Sequence, residues 1–186
     1  INHDAEIIDV DLNFSEPAEP ITVILSQEGW IKTLKGIDNN ISEIKFKDGD
    51  SLLFSQEIMS DDKIMLFASN GKFYTVEASS LPSGRGFGDP LNLLIDLQEG
   101  DKIISLYSFK KKEELVIASK NGYGFIVRFD DLVSNRKSGK QILNLSNDDI
   151  ATSSTRAEGT HLAVIGENKK MVIFEKEELP KMTRGK

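Results

Sequence analysis

Arginine and lysine are the residues of this 186-residue chain whose placement is most regular. They recur in three connectors rich in small residues: PSGRG at 82–86, VSNRKSGK at 133–140 and PKMTRGK at 180–186. These hold the connector cations Arg85, Arg136, Lys137, Lys140, Arg184 and Lys186. A second group, the hairpin cations, flanks four turn sequences and comprises Lys32, Lys35, Lys72, Lys120, Arg128 and Lys170. Such groups can neutralise phosphates or can simply be solvated loop charges.

Other site chemistry has little support in this sequence. The two histidines, His3 and His161, are far apart, and there is no cysteine, so neither a catalytic triad nor a zinc site can be assembled locally. We expect both histidines to be solvent-facing or satisfied by neighbours. No carboxylate spacing points to a general acid–base pair.

Acidic pairs and one glycine-rich run have structural interpretations that are simpler than ligand binding. Asp61-Asp62, Asp130-Asp131 and Asp148-Asp149 lack the alternating oxygen ligands of a calcium loop and are expected to cap turns. Gly84 to Gly88 resembles a phosphate-binding loop, but Asp89-Pro90 and an expected strand follow it where a dinucleotide loop would need a helix. We therefore interpret it as a flexible connector.

The net charge of −7 is concentrated at the start of the chain. Residues 1–19 contain six Asp and Glu and no Lys or Arg, which leaves 24 acidic and 23 basic residues in 20–186. The predicted organisation is an acidic leader over 1–19 and one domain over 20–186. A nearly neutral domain can still place opposite charges on different faces, so composition does not exclude an anionic partner.

Four hairpin signals repeat along the domain. Gly29, Gly71, Gly122 and Lys169 each stand between two β-prone runs, at intervals of 42, 51 and 47 residues. Asn-Gly between such runs predicts a type I′ turn, in which both central residues have positive φ, and Asn168-Lys169 predicts a looser turn. The interval is within the range of propeller-like blades.

A leucine ten residues after the hairpin position strengthens the repeat. Leu81, Leu132 and Leu179 each follow a polar turn and precede one of the basic connectors. Segment 110–120 is the only credible helix, and its second half fits the hairpin repeat, so we interpret it as strand. The sequence predicts an all-β fold of about four hairpin-containing blades, either a propeller or a related disc.

The chain begins without Met or a signal-peptide pattern, and no run approaches the roughly 18 apolar residues of a membrane span. Together with the lack of cysteine, these features favour a piece of a longer cytoplasmic protein without membrane contact.

Four stretches resemble a known family. They are EPITVILSQEGWIKTLKG at 19–36, LPSGRGFGDPL at 81–91, ASKNGYGFIVRFDDLVSNRKSGKQILNL at 118–145 and MVIFEKEELPKMTRGK at 171–186. In this order they are similar to the C-terminal domains of the A subunits of DNA topoisomerase IV (ParC) and of gyrase, from about Glu19 to the last residue.

The resemblance implies a β-pinwheel, a propeller-like disc in which neighbouring blades exchange a strand. It implies that double-stranded DNA lies along a basic outer edge and is bent there, which gives the twelve cations above a role as DNA contacts. It also implies no catalytic residue, metal or cofactor in this domain. ATP, Mg²⁺ and the partner protein ParE would act with other parts of a type II topoisomerase that decatenates and relaxes DNA during chromosome segregation.

The sequence departs from gyrase at the Gln-Arg-Arg-Gly-Gly-Lys-Gly box of that relative. Only Arg136-Lys137-Ser138-Gly139-Lys140 and Thr183-Arg184-Gly185-Lys186 stand in comparable places. We therefore expect the ParC protein of topoisomerase IV, with the DNA-wrapping domain of the gyrase A protein as the alternative. A propeller-like protein-interaction scaffold and a propeller hydrolase are more distant alternatives.

Overall fold

The structure, a computed structural model, describes residues 17–37 and 39–186. Its strands in chain order are β1 (Pro20–Ser26), β2 (Trp30–Lys35), β3 (Leu52–Met59), β4 (Lys63–Ala68), β5 (Lys72–Glu77), β6 (Asp89–Pro90), β7 (Ile103–Ser108), β8 (Glu114–Ser119), β9 (Gly124–Arg128), β10 (Lys140–Gln141), β11 (Ala151–Arg156), β12 (His161–Ile165) and β13 (Met171–Glu175). The predicted all-β class is confirmed. In this part of the chain the one α-helix is the single turn α1 (Phe129–Leu132), and no helix is long and apolar enough to cross a membrane.

The strands form four sheets, which correspond to the four predicted blades. Their strand orders are β3-β1-β2-β6 in the first, β7-β4-β5-β10 in the second, β11-β8-β9 in the third and β12-β13 in the fourth. β6 follows the hairpin of the second blade along the chain but pairs with β2 of the first, and β10 follows the third hairpin but pairs with β5 of the second. Neighbouring blades therefore exchange a strand.

The core lies between the blades. β4 is buried on both faces, because Ile64, Leu66 and Ala68 join a cluster shared with the first blade while Met65 and Phe67 join a cluster shared with the third. This explains why its sequence is continuously apolar rather than alternating. The stacked rings of Phe67 and Phe73, with centroids 4.5 Å apart, belong to the second cluster.

All four hairpins use the same turn, which corrects the predicted turn types. The N–H of Gly29, Gly71, Gly122 or Lys169 donates to the carbonyl three residues earlier, and each of these four residues has φ between 61° and 82°. Asn121 does not have positive φ, so the turn is a type I turn followed by one left-handed residue rather than type I′. Lys169 adopts this conformation like the glycines, so the fourth turn is not looser.

The predicted strand after Asp89-Pro90 is also wrong. Leu91–Leu93 form a 3₁₀ turn, which is closed by the N–H of Leu94 donating to the carbonyl of Leu91, and the Leu91 N–H donates to the hairpin carbonyl of Gly29. Leu91 and Ile95 enter the core between the first two blades, so the apolar run fills a gap between blades instead of pairing in a sheet.

The acidic leader lies mostly outside the described residues, which begin at Pro17. Its last residue, Glu19, exchanges hydrogen bonds with Ser60: the Glu19 N–H donates to the serine Oγ (3.0 Å), and the Ser60 N–H donates to the Glu19 carbonyl (2.8 Å). Glu19 is thus joined to the first blade, next to the end of β3.

Gly88→Ala is expected to destabilise the exchange of strands between the first two blades. Gly88 has φ of +94°, and an added Cβ would overlap the carbonyl of Ile31 on β2. The left-handed conformation alone costs a non-glycine residue about 1–3 kcal/mol. Thermal or urea unfolding measures the loss, and Gly86→Ala is the matched control because open space lies in front of Gly86. Equal stability of both variants would contradict this packing.

Candidate nucleic-acid interface

The sheet order places the three connectors on the same side of the first three blades. β3, β7 and β11 form one edge of their sheets, and β7 contacts both β3 and β11. Hydroxyl groups link two of these strands, since Tyr107 Oη lies 2.8 Å from Ser154 Oγ and the latter 2.5 Å from Ser105 Oγ. The strands that meet across blades are therefore innermost, and the opposite edge of the first three sheets, which we call the outer edge, carries the connectors.

The connectors join the outer edge in equivalent ways. Thr33 on β2 donates its N–H to the carbonyl of Pro82 (2.9 Å), and Ile126 on β9 donates to that of Pro180 (2.9 Å). In the second blade the N–H of Ser134 donates to Oγ1 of Thr75 on β5 (3.0 Å). Each connector therefore begins beside the fourth residue after the hairpin position of the blade that it joins. The sequence repeat correctly identified these segments as equivalent.

The connector cations are all exposed, but their side chains differ in how they are held. Within the described residues, the side chains of Arg85 and Arg136 form no hydrogen bond or ion pair. Lys137 Nζ donates to the carbonyl of Leu93 (2.9 Å), and Lys140 Nζ donates to that of Asp131 (2.6 Å). An ammonium group has three donors, so both lysines keep donors for an anion.

The third connector holds its cations in a shifted register. Arg184 is three residues after Lys181, which pairs with Ile126, whereas Arg85 is only two residues after Ser83, which pairs with Thr33. The Arg184 Nε donates to Asn144 Oδ1 (3.1 Å). Lys186 Nζ donates to Ser146 Oγ (2.7 Å) and lies 4.2 Å from the ring centre of Tyr123.

The hairpin cations are not brought together by the fold. Lys72, Lys120 and Lys170 lie at the hairpin turns, whereas Lys35 and Arg128 end β2 and β9 at the opposite end of the blades. At roughly 3.3 Å per residue, a strand of this length separates the two groups by on the order of 15 Å. They could serve one ligand only if it crossed the whole outer edge.

Three hairpin cations also have protein partners. Arg128 Nε lies 3.2 Å from Asp131 Oδ2, which neutralises much of its charge, and Lys72 Nζ donates to the carbonyl of Ser138 (3.3 Å). Lys32 differs most from the expected surface cation, because it is 4% exposed and donates to the carbonyl of Gly86 (2.7 Å). In the sequence Lys32 stands between Ile31 and Thr33, and this alternation of apolar and polar residues did not show that the lysine is buried.

Two further cations near the outer edge were missed from the sequence. Lys181 belongs to the third connector, and its exposed Nζ forms an ion pair with Glu114, 2.9 Å from Oε1. Lys45 lies beside Lys32, whose Nζ is 3.5 Å from the Lys45 carbonyl. Its position follows from the path of the chain after β2, which no repeat in the sequence indicates.

One member of each acidic pair caps a turn, as predicted. Asp62 accepts from the Met59 N–H (3.0 Å) and Asp130 from the Lys112 N–H (2.8 Å). The Oδ1 of Asp149 accepts from the N–H groups of Asn121 and Ile150, both at 3.0 Å. Asp50 holds the first hairpin turn in the same way, accepting from the N–H groups of Glu28 and Ser51. The carboxylates of Asp50 and Asp149 fix the hairpin turns from which β2 and β9 continue toward the connectors.

The two aspartates that hold these turns are ionised more readily than an ordinary carboxyl group. Burial by itself would raise the pKa of Asp149, but the neighbouring Ser119 hydroxyl, the hydrogen bonds from the N–H groups of Asn121 and Ile150 and the charge of Lys186 together lower it below its usual value. For Asp50, hydrogen bonds from Ser26 and backbone N–H groups likewise outweigh burial, and its pKa is also lowered.

Of the two histidines that were expected to face solvent or to be satisfied by neighbours, the structure describes His161. His161, at the start of β12, is exposed, and its Nδ1 lies 2.9 Å from the hydroxyl of Thr160. His3 lies outside the described residues. In the described ranges, no group of three Asp, Glu or His side chains is arranged to hold a metal ion.

The chain is similar to known proteins over most of its length. The family described as "DNA gyrase C-terminal domain, beta-propeller" matches residues 62–110 and 113–153. The DNA topoisomerase 4 A protein of Caulobacter vibrioides is 46% identical over 168 residues, covering 90% of this chain and 22% of the relative. That of Rickettsia bellii is 36% identical over 176 residues, covering 95% of this chain and 24% of the relative. The chain thus spans about a quarter of these relatives.

A solved structure gives the most direct comparison of folds. The E. coli ParC C-terminal domain matches with a TM-score of 0.84 and 30% identity, covering 90% of this chain and 69% of that one. The exchanged strands, the four blades and this match agree with each other and with the resemblance in the connector sequences. The chain belongs to the family of β-pinwheel C-terminal domains found in the A proteins of DNA topoisomerase IV (ParC) and gyrase.

Proposed function

We propose that this chain is a non-catalytic DNA-binding and DNA-bending domain of the ParC protein of topoisomerase IV. The observation that carries the proposal is the placement of three basic connectors at equivalent positions on the outer edge. Duplex DNA presents phosphates at regular intervals, so a row of Arg and Lys can neutralise several of them without reading the bases.

The proposed role in the whole protein is recognition of the DNA substrate. Strand passage, with ATP and Mg²⁺, would belong to other domains and to the partner protein ParE, while this domain would favour certain crossings or topologies of DNA during decatenation and relaxation. A cytoplasmic, chromosome-associated location follows from that role. The alternative is the wrapping domain of the gyrase A protein. The similarity to two topoisomerase 4 A proteins favours the first assignment.

A band-shift assay on relaxed and supercoiled circular DNA, over a series of salt concentrations, tests the proposal. Binding to any sequence is expected, with log affinity falling linearly with log salt by roughly 0.9 per phosphate contact. Binding that is absent at low salt would instead support the protein-interaction scaffold. Strong constraint of supercoils on relaxed DNA would support the gyrase alternative.

Removing the acidic leader is expected to strengthen DNA binding. A variant lacking residues 1–16 loses carboxylates that repel phosphates, so its affinity should rise at low salt and converge with the full chain at high salt, where charges are screened. The same variant should unfold at nearly the same temperature as the full chain. A large drop in its melting temperature would show that the leader stabilises the fold.

A further inference from the structure

A basic cleft lies at the outer edge of the first blade. It has a volume of about 630 Å³ and opens between the first connector and the segment that follows β2. Of its described lining residues, four are basic and one is acidic: Lys32, Lys35, Lys45 and Arg85 against Glu43. The cleft therefore has a marked excess of positive charge in a domain that is nearly neutral as a whole.

Lys32 supplies a buried cation to this cleft. Its side chain donates to the carbonyl of Gly86 at 2.7 Å and lies 3.5 Å from that of Lys45, and no carboxylate among the described residues pairs with it. Burial lowers the pKa of its amine. Carbonyl groups offset only part of the cost of burying a charged amine, so an anion in the cleft would stabilise the charged form.

The fold does not require a charge at this position. Lys32 faces Ile24 across the hairpin, and the matching pairs are Leu66 with Tyr74 in the second blade and Ile117 with Phe125 in the third. Tyr74 and Phe125 are both fully buried. Aromatic side chains thus satisfy the same packing position in the second and third blades, and the amine of the first blade calls for a separate explanation.

The first connector offers further donors on the other wall. Ser83, Gly84 and Arg85 line this wall. Arg85 is exposed, and its side chain is unpaired among the described residues. Its guanidinium group therefore keeps all its N–H donors for an anion.

We propose that this cleft binds a phosphoryl group between Lys32 and Arg85, with Lys35 and Lys45 at its margin. In the protein's proposed role the group is a DNA backbone phosphate, which would fix the position of the duplex at the first blade. That source rests on the proposed function, whereas binding of a phosphoryl group as such does not. The same chemistry would also accept a free phosphate compound.

Trp30 allows the site to be tested directly, because it is the only tryptophan of the chain. It stands two residues before Lys32 on the same face of β2, pairs with Pro90 after the first connector, and has Lys47 Nζ 3.3 Å from its ring centre. The full chain is titrated with inorganic phosphate and with pyrophosphate at constant ionic strength while Trp30 fluorescence is recorded. A saturable change is expected.

Two variants and one control locate the response. Lys32→Met and Arg85→Ala should each weaken pyrophosphate binding about tenfold or more, and Lys102→Ala, which removes an exposed cation outside the connectors, should leave it unchanged. Lys32→Met retains an apolar stem where the second and third blades have aromatic residues, and Arg85→Ala changes only an exposed side chain. A response without saturation, or one that is equal in all variants, overturns the proposal.

A duplex of about 30 base pairs identifies the source of the phosphoryl group. If the duplex and pyrophosphate compete for the full chain, and this competition is lost in Lys32→Met, the group that the cleft binds is a DNA phosphate. Saturable pyrophosphate binding without any duplex binding supports the cleft with a free phosphate compound and contradicts the proposed function. Normal duplex binding that Lys32→Met leaves unchanged, with no pyrophosphate response, overturns the cleft and leaves the proposed function standing.

Discussion

Alanine at four connector positions together is expected to lower affinity for duplex DNA on the order of 100-fold at 0.1 M salt, because even two lost charge-assisted hydrogen bonds are worth about that factor. The positions are Arg85, Arg136, Lys137 and Lys140. The loss should be similar for every DNA sequence, since phosphate contacts carry no base information. The salt slope should fall by roughly 0.9 for each contact truly lost.

Folding should survive this change, because exposed connector charges rarely contribute more than about 0.5 kcal/mol to stability. A matched variant controls for bulk charge by removing four lysines outside the connectors, at Lys63, Lys102, Lys110 and Lys111. Lys45 and Lys47 are unsuitable for this purpose, because Lys45 lines the basic cleft and Lys47 contacts Trp30. Equal loss of affinity in both variants would mean that net charge, rather than the outer edge, determines binding.

Loss of the Asp149 carboxylate is expected to lower the stability of the fold. Asp149→Ala removes a buried carboxylate and leaves the partly buried N–H groups of Asn121 and Ile150 without their acceptor. Because water can reach these groups in part, the cost should be about 1 kcal/mol, and the melting temperature at neutral pH should drop by a few degrees. Glu158→Ala, which changes a carboxylate outside the hairpin turns, is the control. A variant as stable as the wild type would show that the turn needs no cap.

The same aspartate makes the fold sensitive to acid. The pKa of Asp149 is lower in the folded state than in the unfolded chain, where it is near 3.9. Its contribution to the free energy of unfolding is therefore fully present above that pH, and it is lost as the pH falls through the pKa of the folded state. Asp50 has a lowered pKa and adds to the effect in the same direction. Stability should therefore hold from neutral pH to about 4 and fall below it, more steeply in the wild type than in Asp149→Asn. Parallel curves for the two proteins would contradict this linkage.

The repeat made the blades predictable, because each hairpin is a local event with a local signal. Runs such as Ile64 to Ala68 and Phe73 to Val76 bound a turn whose glycine needs positive φ. The turn type was not predictable from Asn-Gly alone, since the structure gives positive φ to the glycine and not to Asn121. The exchange of β6 and β10 between blades is a long-range pairing, which only the resemblance implied.

The candidate site could be located from the sequence only where the sequence repeats. The connectors follow equivalent leucines, so the positions of Arg85 and Arg136 could be inferred. The burial of Lys32 could not, because a lysine in an alternating strand is ordinarily exposed, and its acceptor, the Gly86 carbonyl, is 54 residues further along the chain. The pairing of Arg128 with Asp131 could have been found from their i, i+3 spacing had α1 been expected.

Backbone amide chemical shifts of the 20.7 kDa chain, recorded during titration with a duplex, test most directly whether the outer edge is the DNA interface. The amides that shift should cluster in 82–90, 133–141 and 180–186, with the innermost strands β3, β7 and β11 unaffected. Shifts concentrated in those innermost strands would contradict the account. Shifts in the Lys110–Lys111 turn and at the ends of the blades, with the connectors unchanged, would contradict it as well.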